Sequence, residues 1–202
     1  MASRDKGPGM EKIPFLWEDQ EPSEAQIERI NTENLKRHAN FRIAAEHVSR
    51  ALSEIAAVRK IILFGSVAIP PFKEMPSSGR FAEKGVEVYH HCDDVDMAVW
   101  MDDVKCINEL RTARVRGLSL LHKGEGIGVA HHQVDVFLLD CNTGKYLGRL
   151  CIFGRCPAKK YVCGVEGCGK TPFLRMHDGF VFDPGIFRGS ETICLYDRRG
   201  NE

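Results

Sequence analysis

Residues 91–100 read HCDDVDMAVW, and residues 131–140 read HHQVDVFLLD. Both are apolar runs of strand length, and both carry aspartates inside what looks like a buried strand. Aspartate is depleted in strands and is rarely fully buried without a partner. Side chains alternate across a strand, so Asp94 and Asp96 leave one face, roughly 7 Å apart along it. Val95, Met97 and Val99 point the other way, into a core. Two carboxylates that close repel, and one resists ionising unless a cation sits between them. Mg²⁺ (or Mn²⁺) is a hard, oxygen-seeking cation that answers this need. Asp135, between Val134 and Val136, would join the pair if the two strands are neighbours. Three carboxylates are what a two-metal phosphoryl-transfer site uses. Upstream, residues 61–66 read IILFGS, an apolar run that stops on glycine and serine. Gly65 would let the backbone approach a phosphate, and the Ser66 hydroxyl with nearby amides would bind its oxygens.

The bulk numbers narrow the class. A chain of 202 residues, 43% hydrophobic, can bury a core and has room for a domain with an appendage. Its formal net charge is zero, which argues against a protein built mainly to coat nucleic acid or an anionic membrane. Nothing approaches the ~18 apolar residues of a membrane helix. The start, MASRDKGPGMEKIPF, carries charges and lacks the apolar stretch of a secretory signal. A cytoplasmic location is expected, and with it eight cysteines that are reduced thiols or metal ligands.

Along the chain, residues 1–22 read as a loose arm rich in proline, glycine and charge. Ser23 and Gln26 predict a capping box at a helix start. Phe41, Ala44, Val48, Leu52 and Ile55 then share one helical face. Asn31 and Asn34 suggest a break, so two helices are expected before Val58. A strand is expected at 60–65 and an irregular, proline-rich stretch at 67–85. A short strand is expected at 86–89 and another at 94–101. A helix over about 103–122 follows, then a glycine turn and extended runs near 127–131 and 133–139. The composition shifts after Asp140, and a boundary is placed near residue 148. The expectation is α+β: a domain over 23–147 with N-terminal helices on a mixed β-sheet, and a small Cys-rich segment over 148–202.

That segment holds Cys151, Cys156, Cys163 and Cys168, followed by His177. Zinc takes four soft ligands in a tetrahedron, commonly on tight glycine-containing turns. VCGVEGCGKTPF, residues 162–173, supplies such a turn. Cys156, Cys163, Cys168 and His177 are the expected ligands of a structural Zn²⁺. Cys151, between Leu150 and Ile152, reads more as a strand residue but could replace His177. From Gly148 onward nine Lys or Arg face six Asp or Glu, which leaves room for nucleic-acid binding by this segment. The doublets His90-His91 and His131-His132 precede the aspartates and read best as surface residues at strand starts.

Gly-Ser at a strand end, Asp-x-Asp on the next core strand and a lone aspartate on a third resemble the DNA-polymerase-beta-like nucleotidyltransferases, in their small, minimal branch. The resemblance covers about residues 60–140. With LGRLCIFGRCP and PFLRMHDGFVF added, the whole chain looks like an uncharacterised bacterial group of proteins with that domain. The resemblance implies a nucleotidyltransferase fold, with Ser66 on the triphosphate of an NTP. It implies Asp94 and Asp96 on two Mg²⁺ ions, with Asp135 as a further ligand assisting the metal of the attacking hydroxyl. The acceptor would be an RNA end, a protein side chain or a small molecule. A partner protein is also implied, because many minimal members pair with one. The alternative is an inactive member acting as a binding module, antitoxin-like or nucleic-acid-binding through the zinc segment. The chain departs from the pattern after Ser66. Val67-Ala68-Ile69 stand where small and basic residues are usual, Pro70-Pro71 would cut a helix short, and residues 67–93 intervene before Asp94.

Overall fold

Ser23 starts the first helix, α1 (Glu24–Ser53), through the reciprocal box that the sequence predicts. Its hydroxyl accepts from the Gln26 amide at 3.4 Å, and the Gln26 side-chain oxygen accepts from the Ser23 amide at 3.0 Å. In this computed structural model, which describes residues 21–153, 156, 171–176, 182–188 and 191–198, α1 runs unbroken for 30 residues. The two helices expected here are one. Asn31 and Asn34 do not break it, because their amides are spent on a strand. The Asn31 oxygen accepts from the Tyr89 amide at 2.8 Å, and the Asn34 amide nitrogen donates to the Tyr89 carbonyl at 2.6 Å. An asparagine inside a helix costs roughly 0.5 kcal/mol. A tertiary hydrogen bond of about 1 kcal/mol offsets it.

The sheet is built from β1 (Val58–Phe64), β4 (Val95–Met101), β5 (Val134–Asp140), β6 (Tyr146–Leu150), β7 (Leu174–Arg175) and β8 (Ile193–Asp197). Their order is β7-β6-β5-β4-β1-β8. Only β4 and β5 run parallel, so the sheet is mixed. The crossover between them is α3 (Ile107–Glu125), which ends at Gly126 in the left-handed region, φ 69°. This is an α+β architecture. The inserted residues between β1 and β4 carry a small hairpin, β2 (Lys73–Glu74) with β3 (Val88–Tyr89), and one short helix, α2 (Arg80–Glu83).

Alternation along the strands sorts the two faces. Ile61, Leu63, Met97, Val99, Val136 and Leu138 meet Phe41, Ala44, Val48 and Leu52 of α1 and Leu110 and Leu121 of α3 in the main core. Gly117 lets the two helices touch, since a Cβ there would lie 2.8 Å from the His47 carbonyl oxygen. The other face carries Ile62, Phe64, Ala98 and Leu139, covered by Trp100, Phe137, Phe182 and Phe187.

Three expectations are corrected. The extended run near 127–131 is not a strand: α3 continues to Glu125, and His131–Gln133 form a 3-10 turn before β5. The segment after Ser66 holds more than loop, as the hairpin and α2 show. The boundary near residue 148 falls inside β6, and β6, β7 and β8 complete the same sheet as β1 and β4. Leu150 and Leu174 are buried in the main core, which the compositional shift conceals. No helix among the described residues is long and apolar enough to cross a membrane.

Candidate functional site

The parallel pairing of β4 and β5 decides the site. Its register sets Asp96 opposite Asp135, just as Val95 meets Val134 and Met97 meets Val136. The valines and Met97 enter the main core, so the two aspartates emerge on the opposite face. Asp94 precedes β4 by one residue and projects to the same side. Asp94, Asp96 and Asp135 each present a carboxylate oxygen within 4.8 Å of the others. The three sequence-predicted carboxylates are therefore brought together. Asp93, beside them, has a side chain 88% exposed and stays out of the cluster.

The electrostatics follow from the crowding. Burial pushes the Asp96 carboxyl up to about 7, and the neighbouring charges of Asp94 and Asp135 add to the shift. Burial also raises Asp94, with Asp135 next in effect. Asp135 is buried, 6% exposed, and is paired with the Arg149 guanidinium from β6. Sequence reading misses Arg149. Its signal is a lone arginine in the strand YLGRL, but the boundary drawn at 148 separates it from the aspartates.

Gly65 does something other than wait for a phosphate. It lies just past the pairing of Phe64 with Asp96, at φ 75°, and a Cβ there would come 2.7 Å from the Asp96 Oδ2. Only glycine lets the β1 end sit against that carboxylate. Ser66 follows in a turn closed by the Ala68 amide on the Gly65 carbonyl at 3.0 Å. The buried Cys92 thiol is close by, its pKa raised by burial. No helix starts here; Val67 and Ala68 are buried instead, and the chain turns into the insertion.

A second missed residue is Arg114 of α3, buried at 2% exposure. It donates to the carbonyls of Val134 at 3.3 Å and Cys151 at 3.1 Å, tying the start of β5 to the end of β6 beside Asp135. Burial lowers its pKa to about 10. On the far side, Arg37 of α1 donates to the carbonyls of Cys92 and Asp93, which fixes the backbone just before Asp94.

The histidine doublets are placed elsewhere. His90 pairs with Glu74 at 2.6 Å, His91 with Asn34 at 3.0 Å, and His131 with the Ile152 carbonyl at 3.1 Å. Of the expected zinc ligands, Cys163, Cys168 and His177 lie outside the described residues, and Cys156 is half-buried. Cys151 is buried, and its sulfur accepts from the Phe153 amide at 3.4 Å.

The donor set suits a hard divalent cation. Three carboxylates share one small space, the Asp96 carboxyl pushed up to about 7 by burial and its neighbours, and a bound cation would relieve that repulsion. No family model, curated protein or solved structure matches the chain.

Proposed function

We propose that the protein is a Mg²⁺-dependent nucleotidyltransferase of the DNA-polymerase-beta-like fold, moving a nucleoside monophosphate from an NTP to an acceptor hydroxyl. The observation that carries this is the convergence of Asp94, Asp96 and Asp135 within 4.8 Å on one face of the sheet. Asp94 and Asp96 would hold the cation, and Mn²⁺ would serve in its place. When bound, Mg²⁺ supplies the positive charge that lets three carboxylates and a triphosphate coexist. The chain's own part is positioning and charge placement. Gly65 keeps the β1 end close against Asp96, since a Cβ there would meet that carboxylate. The Ser66 hydroxyl would bind a phosphate oxygen. Asp135 would orient the attacking hydroxyl and pass its proton to solvent, while Arg149 holds that carboxylate in place. The acceptor oxygen bonds to the α-phosphorus, and pyrophosphate leaves.

Calorimetry with each NTP, with and without Mg²⁺, tests the reading on the wild type and on Asp94→Asn. Metal-dependent binding that the substitution abolishes is the expected result. A folded wild type that binds no NTP would sink the transferase.

One observation favours a second reading. Arg149 already neutralises Asp135, which suits an NTP-binding module without turnover. Pyrophosphate release by the wild type separates the two. A structural Zn²⁺ on Cys156, Cys163, Cys168 and His177 is a further part of the proposal. The burial of Cys151 in the sheet favours His177 as the fourth ligand. About one zinc per chain by elemental analysis is expected, and a metal-free, folded protein would remove it.

A further inference from the structure

Between α1 and the inserted segment lies a cavity of about 440 Å³ that the carboxylate cluster does not use. That volume lies within the range of organic-ligand pockets. Part of the lining is apolar, from Ile30, Phe81 and Val88. The polar part is Glu33, Asn34, Arg37 and His91.

The polar groups differ in what they have left to offer. Asn34 is committed: its nitrogen donates to the Tyr89 carbonyl, and its oxygen accepts from His91 Nδ1. That assignment puts a proton on His91 Nδ1, and its Nε2 lies 3.7 Å from the Asp93 carboxylate. Arg37 is different. Of its five N–H groups, one on Nε and one on Nη2 reach the carbonyls of Cys92 and Asp93. Its guanidinium also lies 4.6 Å from the Phe41 ring centre. Among the described residues no carboxylate forms an ion pair with it. Glu33 also lines the cavity, but its side chain is 65% exposed and lies 3.9 Å from Arg29. Arg37 is therefore a fixed cation with donors to spare beside an apolar wall.

We infer that this cavity binds a small organic acid, with an aryl or alkyl body against Ile30, Phe81 and Val88 and its carboxylate on the remaining N–H groups of Arg37. A charge-assisted, forked pair of this kind is among the stronger hydrogen-bonded contacts. The site also has an address. Arg37 grips the two carbonyls that lead into Asp94, so the carboxylate of the bound acid lies at the end of the cavity nearest the cluster. The inference does not depend on the transferase reading.

Saturation-transfer NMR on the full chain, without NTP or Mg²⁺, tests it. The probes are 4-hydroxyphenylacetate, hexanoate and the cationic analogue tyramine. The two carboxylates should give signals and tyramine none, and Arg37→Gln should weaken carboxylate binding by about tenfold or more. Phe81→Ala, at a half-buried position, should weaken 4-hydroxyphenylacetate as well, and it reads the same cavity if the arginine variant does not fold. Absence of carboxylate binding at millimolar concentration overturns the inference, as does binding that both variants leave intact. Because no nucleotide is present, this outcome is independent of the calorimetry above.

Discussion

Replacing Asp96 with asparagine should stabilise the metal-free protein at pH 8. The Asp96 carboxyl is pushed up to about 7 in the folded state, against an ordinary 3.8. A group raised on folding contributes stability that is fully present below its unfolded value and lost as pH rises through its folded value. The metal-free wild type should therefore lose stability as the pH rises from about 4 to about 7. The loss is on the order of 2–4 kcal/mol at most, and relaxation around the cluster reduces it. Thermal melts across that range should show a falling Tm for the wild type and a flatter profile for Asp96→Asn. Added Mg²⁺ should raise the wild-type Tm more at pH 8 than at pH 5, and an unchanged Tm would count against a cation site. The two aspartates of one strand are legible from alternation alone, and Asp135 from its apolar flanks. Arg149 is not, because its role comes from strand pairing, which composition does not encode.

At the scale of elements, α1 is both a core helix and a mount for the insertion. Its apolar stripe is plain in the sequence and is buried as expected. Its polar positions mislead: Asn31 and Asn34 look like breakers but act as hydrogen-bonding edges for β3. Local propensity and tertiary bonding point in opposite directions there, and the tertiary bonds win. Asn34→Ala should cost about 1–3 kcal/mol, since it strands the Tyr89 carbonyl and frees His91. Urea melts measure the cost, and hydrogen exchange should rise at residues 88–91 before it rises in β4. Equal protection there in the variant would show that the hairpin holds itself.

For the whole molecule, the mixed sheet is the unit of stability. A mixed sheet with helices was legible as α+β, because periods of two and of 3.6 alternate along the chain. The limits of the sheet were not, since glycines and cysteines after Asp140 resemble a separate appendage while Leu150 and Leu174 enter the common core. A chain ending at residue 147 should therefore fail to fold. It would leave the β5 edge bare and remove β8 from β1, exposing apolar strands to solvent. Expression of that fragment should give aggregate or a species without a cooperative melt. A sharp transition near that of the full chain would restore the boundary near 148.

The place of β8 has a consequence for synthesis. β1 emerges early, and its outer partner is residues 193–197, with most of the chain made between the two. During translation the edge of β1 stays open, and the carboxylate strand β4 closes against it from one side only. Closing a loop that long is slow compared with pairing neighbours. The ribosome must therefore release β8 before the edge is sealed, so the acidic cluster is assembled on a sheet that is still open to chaperones or to the strands of another chain.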